Sequence, residues 1–150
     1  MDPLPANLHP AAAATLELWH AGVARRDLSG LPPLVHPDAV FRSPMAFKAY
    51  GPAPALILVL GTVVQVFEDF VYHRQFASAD GLNAVLEFSA RVGDKQLKGI
   101  DMIRFDEQGR ILEFEVMVRP FSGLQALGEE MGRRLGHLLP AYKAQAAKPA

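Results

Sequence analysis

The chain has 150 residues, of which 50% are hydrophobic and 21% charged, and its formal net charge is −1. That length and balance give one globular domain with a substantial core, not a disordered chain. Near-neutral charge argues against nucleic acid as the main partner, and the lack of cysteine excludes disulfides, thiolate catalysis and thiolate zinc sites.

The opening segment, MDPLPANLHP, carries neither the basic region nor the apolar stretch of a secretory leader. A first helix is predicted from Pro10, a favoured first-turn residue, to about Ala24, with Leu16, Trp19 and Val23 at helical spacing. The proline-punctuated stretch RRDLSGLPPLVHPDAV reads as a turn, a short helical segment and another turn, followed by a short strand, AVFRS, at 39–43. Residues 53–69 are rich in β-branched side chains, yet their length and the spacing of Leu56, Leu60, Val63 and Phe67 predict a helix. The apolar run within it, Ala55–Phe67, is 13 residues long and contains Gln65. A membrane span needs about 20 residues, so a buried helix and a cytoplasmic protein are expected.

Alternating runs follow at Phe70–Ala77, Asn83–Val92, Gln96–Asp106 and Arg110–Arg119, with turn residues in every gap. Gly109, closing DEQG, suits a hairpin whose last turn residue has positive φ. Leu124, Leu127, Met131, Leu135 and Leu138 then predict an amphipathic helix over about 121–139, and the alanine-rich end, 140–150, reads as a frayed tail. The fold class is therefore α+β: a cone-shaped, curved, mainly antiparallel sheet with the N-terminal helices in its concave face, plus a C-terminal helix. Such a cone naturally leaves an apolar cavity.

The order of elements, the helix at 53–69, the meander and above all GIDMIRFDEQGRILEFEV resemble the nuclear-transport-factor-2-like superfamily, and within it the SnoaL-like proteins. The resemblance implies a single domain over 1–150 with its core at about 10–120. The superfamily includes ketosteroid isomerases, polyketide cyclases, epoxide hydrolases, dehydratases and proteins that only bind, so fold alone selects no function. By resemblance, Asp101 falls on the protonated oxyanion-hole aspartic acid of ketosteroid isomerase. That enzyme's general base falls on Ser43, before Pro44, and its tyrosine donor on Trp19, so its full mechanism does not transfer. Limonene-type epoxide hydrolases carry an arginine two residues before the strand aspartate, where this chain has Gly99. They also need an acid on the next strand, whose inward residues here are expected to be Leu112, Phe114, Val116 and Val118. What remains is the SnoaL-like pattern of one carboxylate in an apolar cavity.

Strand alternation puts Gly99, Asp101, Ile103 and Phe105 on one face. If that face lines the cavity, Asp101 loses solvent, its pKa rises, and it becomes an acid/base near neutrality. The alternative is a structural aspartate bonded to a helix or to tryptophan. Tyr72 and His73 are strand neighbours, so at most one of them faces inward. Parity with Phe70 and Phe76 makes Tyr72 a pocket wall and turns His73 outward; a His73–Asp101 pair needs the opposite parity. His36 and Arg42, at the two ends of the first strand, are candidates for the cavity mouth or plain turn and surface residues. Trp19 either packs the core or donates its N–H to Asp101 or a ligand.

Opposite parity assigns Glu87, Ser89, Arg91, Met102, Arg104, Glu113, Glu115, Met117 and Arg119 to the outer face. Mixed charges with methionines suit a second subunit, and a homodimer is expected, with Glu113 and Glu115 paired to Arg91, Arg104 or Arg119. The five histidines form no metal-binding spacing and no nucleotide loop is present, so neither a metal nor a cofactor is expected. The first functional reading is a small-molecule pocket protein: a cofactor-independent isomerase, cyclase or dehydratase using Asp101 on an apolar, carbonyl-bearing substrate. The alternatives are a non-catalytic binder of an apolar ligand and a dimeric interaction module whose C-terminal helix plugs the cone or binds a partner.

Overall fold

The computed structural model describes residues 1–146. Helix α1 (Pro10–Arg25) begins with His9 as N-cap, whose Nδ1 accepts a hydrogen bond from the Ala11 N–H at 3.2 Å. It ends where Arg26 turns left-handed at φ 54, with the Arg26 N–H returning to the Gly22 and Val23 carbonyls. A short 3-10 turn, Pro32–Leu34, leads into β1 (Val35–Arg42), which starts four residues earlier than the 39–43 reading. The segment of ambiguous propensity is helical, α2 (Ala53–Val66): tertiary burial of Ala55, Leu56, Val59 and Leu60 overrides the β preference of its valines. The Arg26 side chain donates to the Val64 and Gln65 carbonyls, and the Gln65 amide donates back to the Arg26 carbonyl at 2.6 Å. The exposed carbonyls ending α2 are thereby tied to the end of α1.

The meander follows as β2 (Glu68–Ala77), β3 (Asn83–Val92), β4 (Lys95–Phe105) and β5 (Ile111–Arg119). The five strands form one sheet in the order β1-β5-β4-β3-β2, antiparallel except where β1 runs parallel to β5. Gly109 has φ 81, and its carbonyl accepts from Thr15 Oγ1 at 2.6 Å, docking the β4–β5 turn on α1. The inner face is mainly apolar, with Ala84, Leu86, Phe88, Ile103, Phe105 and Phe114 all fully buried.

Register shifts adjust two inward assignments. The β4–β5 register slips between Arg104 and Phe105, so Ile111 is the buried residue where Leu112 was expected. In β2 the register slips between Tyr72 and Gln75, so Tyr72 and Gln75 both face inward and Phe76 is turned to solvent.

The C-terminal part differs from a single helix over 121–139. It divides into α3 (Phe121–Leu135) and α4 (Leu139–Ala146), separated at Gly136–Leu138, with Pro140 in the first turn of α4, where proline is tolerated. The expected frayed tail is thus helical to Ala146, and its last four positions lie outside the described residues. Among the described residues no helix is long and apolar enough to cross a membrane.

Candidate functional site

Asp101 points inward from the middle of β4 and is 5% exposed. Its Oδ2 accepts a hydrogen bond from the Tyr72 hydroxyl at 2.5 Å, and the Tyr72 oxygen accepts one from Trp19 Nε1 at 2.9 Å. Indole is a donor only, so the direction of this chain is fixed: Trp19 gives to Tyr72, and the phenolic proton goes to Asp101. Burial pushes the Asp101 carboxyl up to about 7, opposed by the Tyr72 hydrogen bond, which favours the carboxylate. Burial, with the Asp101 charge second, holds Tyr72 well above its ordinary range, so the phenol keeps its proton. The phenol is fixed by rings on three sides. Phe70 and His20 meet it edge-on at 4.7 and 4.8 Å between centroids, and Phe88 lies at 6.4 Å.

Asp101, Tyr72 and Trp19 form part of the wall of a cavity of about 420 Å³ between the sheet and the helices. That volume lies within the range of small-molecule sites, about 300–1,000 Å³. The rest of the wall is mainly apolar: Phe41 from β1, Val59, Leu60 and Val63 from α2, and Phe114 and Val116 from β5. Leu127, Gly128 and Met131 of α3, Leu139 of α4 and Met45 border it without filling it. This contradicts the expectation of a C-terminal plug.

Two polar groups that sequence reasoning missed belong to the same wall. His20 bonds through Nε2 to Gln75 Oε1 at 2.6 Å, and burial pulls its pKa below the usual 6.5. Asp69, at the start of β2, is in a left-handed conformation with φ 53 and pairs with Arg91 Nε at 2.7 Å. His20 was legible, since residues 16, 19, 20 and 23 share one helix face. Nothing in the local sequence marks the turned backbone at Asp69.

Residues 16–114 match the SnoaL-like domain. The chain belongs to the SnoaL-like family. It is 70% identical to a solved structure described as a steroid delta-isomerase from Pseudomonas aeruginosa, with TM-score 0.86 over 90% of this chain and 97% of that one. A Silicibacter pomeroyi protein with a cystatin-like fold is 31% identical, with TM-score 0.80 over 94% of this chain and 96% of that one. A putative isomerase from Bacillus subtilis, 21% identical with TM-score 0.60 over 79% of this chain and 93% of that one, shares the fold. No curated protein matches the chain.

In this SnoaL-like chain the structure brings Asp101, Trp19, Tyr72, Phe114 and Val116 to one cavity, together with Ser43. Five other sequence-predicted residues lie elsewhere. Ile103 and Phe105 are buried in the core further along β4, outside the cavity wall. His36 is part of β1, outside that wall, and its Nδ1 accepts from the Asp38 N–H at 3.0 Å, a local turn contact. Arg42 alternates outward from buried Phe41 and pairs with Glu113 at 3.0 Å. His73 faces away from the cavity, where its Nε2 lies 2.8 Å from Ser89 Oγ, so no His73–Asp101 pair exists.

The aligned donor position also behaves differently: Trp19 gives its N–H to Tyr72, not to Asp101 or the cavity. Ser43 Oγ accepts from the Met45 N–H at 3.0 Å. Gly99 sits between the Met117 carbonyl of β5 and the Phe88 ring, and a Cβ there would collide with that carbonyl oxygen and lie 2.7 Å from Phe88 Cζ, so the position that carries arginine in limonene-type epoxide hydrolases has no room for a side chain. On the outer face Glu113 pairs with both Arg42 and Arg104, whereas Arg91 pairs with Glu68 and Asp69 instead of the expected β5 glutamates.

Proposed function

We propose that this protein is a cofactor-independent proton-transfer enzyme of the isomerase type, acting in the cytoplasm on an apolar, carbonyl-bearing small molecule. The observation that carries this reading is Asp101, a buried carboxyl raised to about 7 in the wall of a mainly apolar cavity. Near neutral pH both of its protonation states are populated, as a residue that must take and return one proton requires. The ionised carboxylate removes a proton from a carbon next to the substrate carbonyl, leaving an enolate and a neutral Asp101. Neutral Asp101, after exchanging its proton with solvent, gives a proton to a second carbon of the conjugated system, regenerating the carboxylate and shifting the double bond. Trp19 and Tyr72 hold the carboxyl in place and share its charge through the directed hydrogen-bond chain. Ser43, at the position of the ketosteroid isomerase base, is no base at neutral pH, so one carboxyl serves both half-steps.

The relative described as a steroid delta-isomerase supports beginning with steroid ketones. The test incubates the protein with a panel of apolar ketones, steroid ketones included, in deuterated buffer and reads deuterium uptake by mass spectrometry. Uptake with the wild type and its loss in Asp101→Asn are expected; equal uptake by the variant refutes the mechanism.

The second reading, a non-catalytic binder, is favoured by the scarcity of further buried acids in the cavity wall. Native mass spectrometry separates the two readings: a retained, unaltered ligand supports binding and conversion supports catalysis. The protein acts as a homodimer through the outer sheet face. Exposed Phe76 and Met117 among the outer-face charges support this assembly.

A further inference from the structure

The proposed proton transfer has a base, but the substrate carbonyl oxygen, where the enolate charge gathers, still needs a donor. Several donors of the cavity wall are committed: Trp19 to Tyr72, Tyr72 to Asp101, and Arg26 to the Val64 and Gln65 carbonyls. Ser43 differs. Its Oγ accepts from the Met45 N–H at 3.0 Å, and among the described residues nothing accepts its own proton. A hydroxyl that already accepts one hydrogen bond is the stronger donor of another. Sheet register aims it. β1 and β5 run parallel with Phe41 beside Phe114 and Arg42 beside Glu115, so Ser43 follows beside Val116. Val116 in turn pairs with Asp101 of β4. Ser43, Val116 and Asp101 thus form one row across the sheet, and residues of one row project to the same face. Val116 and Asp101 are buried in the cavity wall, whereas Arg42, between Phe41 and Ser43, turns outward to Glu113. Ser43 is half-buried where the wall meets an open surface depression lined by Arg42 and Glu115, and the row assigns its side chain to the cavity side.

The Asp101 end of the row is open as well. Oδ2 holds the Tyr72 bond, and Oδ1 has no hydrogen-bond partner among the described residues. Oδ1 is not sealed off, because the one unpartnered side-chain nitrogen or oxygen closed to solvent there is His20 Nδ1. Oδ1 is therefore reachable from the cavity that Asp101 lines. We infer that Ser43 is a second catalytic residue, whose hydroxyl donates to the substrate carbonyl oxygen while Asp101 Oδ1 takes the proton from the neighbouring carbon. The inference rests on the proposed proton transfer and supplies its electrophilic partner. Two strand spacings of about 4.8 Å set the ends of the row roughly 10 Å apart at the backbone. The concave inner face brings the inward side chains closer. A reacting ketone needs about 3.2 Å from carboxylate to carbon, about 2.4 Å from that carbon to the carbonyl oxygen and about 2.8 Å on to the serine oxygen, about 8 Å in all. The ketone then lies over Val116 with one reacting end at each polar group. As the carbon–hydrogen bond breaks, the proton passes to Asp101 and the electron pair moves toward the carbonyl oxygen. The bond from Ser43 strengthens as that charge develops, and Ser43 keeps its proton throughout.

The experiment compares 2-tetralone with tetralin, the same ring frame without the carbonyl, in the wild type, Ser43→Ala and Ser43→Thr. Dissociation constants are measured at about pH 8, where Asp101 is mainly ionised and offers no competing O–H. Deuterium uptake next to the carbonyl of 2-tetralone is read by mass spectrometry. The wild type is expected to bind the ketone about fivefold tighter than the hydrocarbon, the ratio that one net hydrogen bond supplies. Ser43→Ala should erase that preference, leave tetralin affinity within about twofold, and slow uptake about a hundredfold. Ser43→Thr, which keeps a hydroxyl, should restore both. Loss of the Met45 bond alone would instead weaken ketone and hydrocarbon together. The inference is overturned if the wild type binds 2-tetralone no more tightly than tetralin, if the preference survives in Ser43→Ala, or if that variant takes up deuterium at the wild-type rate. The proton-transfer reading fails separately: uptake by Asp101→Asn as fast as the wild type removes the base, whatever Ser43 does.

Discussion

Asp101→Asn removes one titrating carboxyl from the interior and leaves its shape and an acceptor oxygen for Tyr72 in place. Burial raises the carboxyl from 3.8 to about 7 in the folded chain. At pH values below 3.8, folded and unfolded chains both hold the proton and the group contributes no pH dependence. Between that value and about 7 the unfolded chain has released its proton while the folded chain still holds it. Each pH unit across this window therefore takes about 1.4 kcal/mol from the wild-type fold. Above about 7 the loss is complete, at an order of magnitude of about 4 kcal/mol. Asparagine does not titrate, and its fixed cost is the same at every pH. The stability of Asp101→Asn relative to wild type should therefore grow by about 2–3 kcal/mol between about pH 5 and pH 8. Urea unfolding of both proteins at pH 5, 6, 7 and 8 gives the difference directly, because the other titrating groups are common to both. A difference that stays flat, or shrinks as pH rises, refutes a raised Asp101.

Tyr72→Phe removes the hydrogen bond that favours the carboxylate, so the Asp101 pKa should climb further, by about one to two pH units for a bond of about 1.5–3 kcal/mol to a charged group. The same variant leaves the buried Trp19 N–H unpaired and should melt below wild type, which a thermal scan reads. Gly99→Ala drives a methyl group into the Met117 carbonyl and the Phe88 ring and should cost about 1–3 kcal/mol, seen as a lower urea midpoint. The proposed outer-face homodimer should be lost in Phe76→Lys combined with Met117→Glu, giving a monomer mass in light scattering where the wild type gives a dimer mass; a monomer mass for the wild type, or an unchanged dimer mass in the variant, would refute that assembly.

Asp101 was legible because a carboxylate inside an apolar alternation forces a choice between surface and pocket, and the neighbouring Ile103 and Phe105 decided its face. The alternation of β3 and β4 is regular, so their inward residues follow from parity. Parity failed where one strand gains a residue: the slip in β2 brings Gln75 inward and sends Phe76 out, a device set by pairing with β3 and not by local composition. The Trp19–Tyr72–Asp101 chain joins residues 53 and 29 positions apart, so only tertiary packing could disclose it. His36 and Arg42 were drawn to the cavity by their position on the first strand, but a local turn contact and an outer-face glutamate claim them. The break between α3 and α4 was foreshadowed by Gly136 and Pro140, although leucine spacing carried the reading through it.

The central claim is that one interior carboxyl exchanges a proton near neutrality. The side-chain carboxyl 13C resonance of Asp101, assigned by comparison with Asp101→Asn and followed from pH 4 to pH 9, measures that exchange directly. The account predicts a midpoint at about 7. A midpoint near 3.8, the value of an ordinary solvated aspartate, would contradict it.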